Sequence, residues 1–230
     1  MKFDTHMDRM SDGGPIYHET DLSHFIAEPW NAFSSLVIAL PAIYFLWKLK
    51  GNYKLYSFVI YFCAPLLIAG GIGSTLFHAF RAHTFFLVLD IAPIAVLTMG
   101  LSVWFIYRLI PKWYYVAAIV VFLFLLRGII FTYFEGSDAI NIMYFYTGSL
   151  IFVPGLLFVR KTNYCCLNLL LLSTLMFGIS LFFRFYDDFP EQFMHMGTHW
   201  LWHVFSGIGA LFLGLYLVGV QKTIKKIDLK

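Results

Sequence analysis

The stretch "HMGTHWLWHVFSGIGALFLGLYLVGV", residues 195–220, decides the fold, because it is long and apolar enough to cross a bilayer yet opens with imidazoles. About 20 helical residues span a hydrocarbon core of about 30 Å. The run 197–220 therefore reads as a transmembrane helix with His199 in its first turn and His203 in its second. Three of the chain's eight histidines fall within the nine residues from His195 to His203. Imidazoles at the mouth of an apolar helix need something to face other than lipid.

Outward from this run the chain repeats the pattern. Six more apolar runs, 30–48, 54–79, 84–108, 113–134, 139–159 and 163–185, each approach spanning length. They lack the residue-by-residue alternation of barrel strands. The predicted fold class is thus an all-α membrane protein, a seven-transmembrane-helix bundle. Composition agrees: 60% of the 230 residues are hydrophobic and 13% are charged, against roughly a quarter charged in soluble domains. Mean hydropathy is +0.75. Three parts follow: a polar N-terminal segment (1–29), the helical domain (30–220) and a basic tail (221–230). The first 25 residues are polar and acidic with no apolar core, so no secretory signal peptide is expected there. Cys63, Cys165 and Cys166 lie in or beside apolar runs without metal-type spacing and read as small packing residues. Pro41, Pro65, Pro93 and Pro154 fall inside spans, where kinks are expected. A net charge of +3 gives no reason to expect nucleic acid as a partner; the bilayer and its lipids are the expected partners.

Basic residues set an expected orientation. Lys48, Lys50, Lys54, Arg108, Lys112, Arg160, Lys161, Lys222, Lys225, Lys226 and Lys230 all fall on one side, eleven of the sixteen Lys and Arg. The other side carries "EGSD", "DDFPEQ" and the acidic N-terminal segment. The N-terminus is therefore expected outside, lumenal or periplasmic, and the C-terminus in the cytoplasm.

On that topology the second helix ends near His78, the third meets Asp90 about two turns in, and the seventh begins with His199 and His203. All four lie within roughly 10 Å of the outer boundary at 1.5 Å per residue. His199 and His203, four apart, share a helical face. Two such histidines and a third from elsewhere, here His78, are the usual protein ligands of catalytic zinc, with the fourth position left to water. Bound zinc brings that water's pKa down to about 7. Ser74, one turn below His78, points a hydroxyl the same way. Asp90 is a charge in hydrocarbon, costing about 2.5–3.5 kcal/mol on insertion scales unless a partner offsets it; beside zinc it would orient water or accept its proton.

Each piece has a plainer reading. A histidine near a helix end is more often an interfacial hydrogen-bonder, and an HxxxH alone is weak; the matching depth of Ser74, His78 and Asp90 favours a metal. His195 is read as lying just outside the helix, His83 as exposed in a linker, and His6, His18 and His24 as part of the N-terminal segment. Arg184 is expected to form an interfacial ion pair with Asp187 and Asp188. Arg127 is expected to pair with an acid, hold a lipid head group or snorkel. Trp200 and Trp202 read as interfacial anchors, and Tyr144 and Tyr146 as packing or supporting residues.

"SxxxH" in "GSTLFHAF" (73–80), an aspartate in "LVLDIAPI" (87–94) and a closing "HxxxH" in "GTHWLWH" (197–203) resemble the alkaline ceramidase family. That family sits in a superfamily of seven-helix membrane hydrolases that includes the progestin and adipoQ receptors. The resemblance runs over nearly the whole chain and includes "FIAEPWNAFSSL" (25–36), similar to the family's "IAEFWNTxSN". It implies zinc held by His78, His199 and His203, with Ser74 and Asp90 assisting amide hydrolysis. The interval from His78 to Asp90 is one residue longer than the family's. The resemblance also implies a calcium site: "DWCEEN" of the family aligns with "IYHETD" (16–21), which makes Glu19, Asp21 and Glu28 carboxylate ligands and Tyr17 a backbone-carbonyl ligand, a donor set suited to a hard cation. The family's first aspartate matches Ile16 here, and the plainer reading is an acidic tail in which Glu28 caps the first helix.

The expected activity is zinc-dependent hydrolysis of ceramide or a related long-chain lipid amide. Two alternatives stand beside it: a zinc-dependent lipase or phospholipase acting on an ester, and a non-enzymatic receptor or scaffold with structural zinc. A fourth protein ligand such as His195 would favour the latter. A haem carrier leaves Ser74 and Asp90 unexplained, and a transporter would place its site nearer the midplane.

Overall fold

The computed structural model describes residues 10–134 and 136–228, without the side chains of 136–138 and 225–228. His6, Glu135 and Lys230 lie outside the described residues, and so do the first nine positions of the N-terminal segment. Among the described residues seven helices are long and apolar enough to cross a membrane, which suggests a multi-pass integral membrane protein. They are α1 (Pro29–Lys48), α2 (Phe58–Phe80), α3 (Thr84–Leu109), α4 (Trp113–Tyr133), α5 (Gly136–Lys161), α6 (Leu167–Tyr186) and α7 (His199–Asp228).

Where the ends differ from the sequence reading, local chemistry explains it. The sixth helix starts at Leu167 rather than 163, because Asn163, Tyr164 and Cys166 take left-handed backbone angles that no right-handed helix contains. The second starts at Phe58 rather than 54. Its first turn, Phe58–Cys63, is a π turn ending two residues before Pro65, and such a turn absorbs the hydrogen bond that proline cannot make. Pro41 is likewise preceded by a 3-10 turn, Leu36–Ile38, whereas Pro93 and Pro154 sit in unbroken helix. The seventh helix runs on to Asp228, past the expected 220.

Lipid tails are as apolar as leucine, so spanning helices associate through close packing rather than through expulsion of water. The main packed core gathers Phe45, Tyr56, Phe105, Phe158, Leu170 and Tyr216, from the last turns of α1, α3 and α5, the start of α6, the tail of α7 and the approach to α2. That is one end of the bundle. The polar side chains converge at the other end, between α1, α2, α3, α6 and α7. One close approach is decisive there: a Cβ added at Gly73 would collide with the Leu89 backbone carbonyl. Glycine thus lets the backbones of α2 and α3 touch beside Ser74 and Asp90. By contrast the only buried residues of α4 are Val116 and Ile130.

Candidate metal centre

His78 ends α2, and His199 and His203 open α7. Each offers one ring nitrogen, and the three nitrogens lie within 4.8 Å of one another. All three residues are 1–2% exposed. Among the described residues this is the group of three or more metal-type side chains placed to hold an ion, and its donors are compatible with zinc.

The other nitrogens are held by partners that fix each ring. His78 Nδ1 donates to Glu28 Oε2 at 2.5 Å. His203 Nδ1 lies 2.9 Å from Ser34 Oγ and 3.2 Å from Ser35 Oγ. Both serines donate their protons onward to the Asn31 carbonyl, Ser34 at 3.1 Å and Ser35 at 2.8 Å, and Ser74 Oγ lies 3.0 Å from Ser35 Oγ. The serine oxygens therefore accept from Nδ1–H, which leaves the Nε2 lone pairs of His78 and His203 for a metal. His199 differs: Arg184 donates to its Nδ1 at 3.2 Å. Its ring is stacked on Tyr17, with centroids 3.9 Å apart.

The start of α7 is built for this placement. Gly197 has a φ of +71° and sits so close to Asp187 that a Cβ would strike the carboxylate. Asp187 accepts the backbone N–H groups of Thr198 (2.5 Å) and His199 (3.0 Å), which satisfies free donors of the first turn. Asp187 is therefore not the partner of Arg184. The ion pairs closer than 4 Å among the described residues join His24 to Asp21, His78 to Glu28, and Arg81 to Asp12 and Glu28. Arg184 belongs to none of them and turns inward instead.

Ser74 and Asp90 are brought to the same place. Ser74 is 1% exposed, lies 3.0 Å from Ser35 Oγ and shares a hydrogen bond with Asp90. The His78–Asp90 interval is taken up by the α2–α3 corner: Arg81 adopts φ 46° and ψ 32°, and His83 caps α3 by accepting from the Phe85 N–H at 3.0 Å. Asp90 thus falls in the second turn of an unbroken α3.

The four residues of the expected calcium site are drawn to separate tasks. Tyr17 lies over His199. Glu19 accepts the N–H groups of Trp30 (2.5 Å) and Asn31 (2.9 Å), so Glu19, not Glu28, caps α1. Burial pushes the Glu19 carboxyl up, and those two amides offset only part of it. Asp21 is exposed and bonds Ser23. Glu28 is fully buried and holds His78 and Arg81, with Thr20 donating to it at 2.6 Å. Burial would push its carboxyl up, but the His78 hydrogen bond, then the Arg81 charge and the Thr20 hydrogen bond, hold it below the usual range. Glu19, Asp21 and Glu28 do not form a group with oxygens within 4.8 Å of one another. Arg81 ties the N-terminal segment to the bundle: it donates to Asp12 at 2.7 Å, to Glu28 and to the Pro15 carbonyl at 2.8 Å.

His195 is exposed. Trp202 packs on Tyr144 at 4.8 Å and Trp200 on Trp30 at 5.6 Å, while Tyr146 donates to the Leu123 carbonyl at 2.7 Å. Sequence reading missed Arg81, Arg184, Ser34 and Ser35 as neighbours of the centre. Only the serines had a signal, their place as the last two residues of "AEPWNAFSS" (27–35).

The Glu28 contact makes a direct prediction. Glu28→Gln keeps the shape but weakens the acceptor for His78, so zinc affinity should fall about 10–100-fold, read by competition with a chromogenic chelator. Wild-type affinity in the folded variant would show that Glu28 does not tune the site.

No protein-family model and no curated protein matches the chain in sequence.

Proposed function

We propose that this protein is a zinc-dependent amidohydrolase of membrane lipids, acting on ceramide or a related long-chain lipid amide and releasing a fatty acid and a sphingoid base. The observation that carries the reading is the trio His78, His199 and His203, buried at one end of an apolar bundle with nitrogens within 4.8 Å and with a carboxylate and a hydroxyl alongside. Zinc, when bound, supplies a Lewis acid for a carbonyl and lowers the pKa of water. The chain's own groups do the rest. Glu28, Ser34 and Ser35 hold the imidazoles in place. Tyr17 lies across His199 and keeps bulk water off it. Asp90 takes the proton lost by the attacking water as the new C–O bond forms, then returns it to the departing amine as the C–N bond breaks. Ser74 donates toward the developing oxyanion. On the charge asymmetry of the linkers this end of the bundle faces away from the cytoplasm.

His195 stands exposed, away from the trio, which supports an open fourth position over a closed structural site. The test is release of fatty acid from ceramide by detergent-purified protein, against a chelator-treated sample and a matched phospholipid ester. Acid release from ceramide that vanishes on chelation and returns with zinc is the expected result. Cleavage of the ester alone would make the protein a lipase, and bound zinc without cleavage of either would make it a non-enzymatic zinc protein.

A further inference from the structure

Arg184 is the cation that the reaction as described does not use. It is 6% exposed, in the last turn of α6, and its Nε is buried without a hydrogen-bond partner. Its surroundings are mostly aromatic: the guanidinium carbon lies 4.8 Å from the Tyr144 ring centre, 5.8 Å from that of Tyr17 and 5.9 Å from that of Trp202. Tyr17 shares a side-chain hydrogen bond with it, and the fields of Asp188 and Asp90 both reach it. The nitrogen acceptor it does have is His199 Nδ1, at 3.2 Å.

That acceptor does not survive metal binding. A neutral imidazole has one nitrogen lone pair and one N–H. If the metal takes Nδ1, the lone pair is gone; if it takes Nε2, the proton moves to Nδ1, which then repels the guanidinium donor. Either way Arg184 is left beside a dication with a donor freed and Nε already unpartnered. Buried donors and buried charge both demand compensation, and a guanidinium fork matches an oxyanion better than any other group. Resting on the lipid-amide reading above, we propose that Arg184 is the specificity residue for an anionic head group, so that the preferred substrates are long-chain lipid amides bearing a carboxylate, phosphate or sulfonate within a few bonds of the amide. The rings of Tyr17, Tyr144 and Trp202, already around the guanidinium, would flank that head group.

The experiment uses two probes that differ only in the head: N-palmitoyl taurine, a sulfonate, and N-palmitoyl ethanolamine, a neutral alcohol. Both are presented to zinc-loaded protein in uncharged micelles, and binding is read by titration calorimetry. Wild type should bind the sulfonate at least about tenfold more tightly than the alcohol. Arg184→Gln should bring the two within about twofold, and Arg184→Lys, which keeps the charge but not the fork, should retain a reduced preference. A wild type without preference overturns the proposal whatever the variants do. So does a preference that persists in folded Arg184→Gln, or an equal loss for both probes with their ratio unchanged. Rates of palmitate release from the same samples separate the two readings. A binding preference without turnover removes the hydrolase and leaves the anion site standing; turnover without preference does the reverse.

Discussion

Replacing His203 by alanine should empty the metal centre. Wild-type protein purified without added zinc should carry roughly one zinc per chain, and His203→Ala should retain little of it by plasma mass spectrometry. Lipid-amide hydrolysis should drop to that of chelated protein. The ligands left are His78 on α2 and His199 on α7, and a two-ligand site holds zinc poorly. The fold should survive. The Nδ1 partners, Ser34 and Ser35, keep the Asn31 carbonyl as an acceptor, and helical circular dichroism provides the check. A folded variant with full zinc content would mean that the trio is not the site.

The second large effect lies outside the trio. Arg81→Gln strips the cation from two carboxylates, Asp12 and Glu28, that are fully buried beside it. Removing one partner from a buried pair typically costs about 3–5 kcal/mol, so thermal unfolding in detergent should shift down by about 10 °C. A shift under about 2 °C would show that the network is not structural. The pH profile offers a second readout through Asp12. Burial would push its carboxyl up, but the Arg81 hydrogen bond, the Gly14 amide and the Arg81 charge hold it below its ordinary value. A depressed carboxyl contributes stability that is fully present above the unfolded value of about 3.9 and is lost as pH falls through the lower folded one. In Arg81→Gln burial is largely unopposed, the carboxyl rises, and the sign reverses: acidification to about pH 5 should then stabilise the variant relative to pH 8.

Much of this was legible in the sequence because one-dimensional signals carried it. Apolar runs of spanning length marked seven helices, and depth counted in residues put Ser74, His78, Asp90, His199 and His203 at one level. The four-residue spacing of His199 and His203 fixed their common face. Other features had no such signal. Glu28 reads equally well as a helix cap or a cation ligand, and only the path of residues 10–28 back over the bundle turns it toward His78 while Glu19 takes the cap. Arg184 followed by Asp187 and Asp188 looks like a local ion pair. Asp187 instead serves the free N–H groups of α7, a tertiary demand invisible in the order of residues. Arg81 sits in "RAHT" as an ordinary linker residue; its left-handed backbone is what swings the guanidinium under the N-terminal segment.

The division of the trio between α2 and α7 also fixes when the centre can come into being. A chain is threaded into the bilayer from its N-terminal side, so His78 is in place while four further spans, α3 to α6, are still to be inserted. Until α7 arrives there is one imidazole and no chelate. Metal binding at the trio would therefore be a late event in biogenesis, and a metal-loaded molecule would be one whose insertion has reached the seventh span.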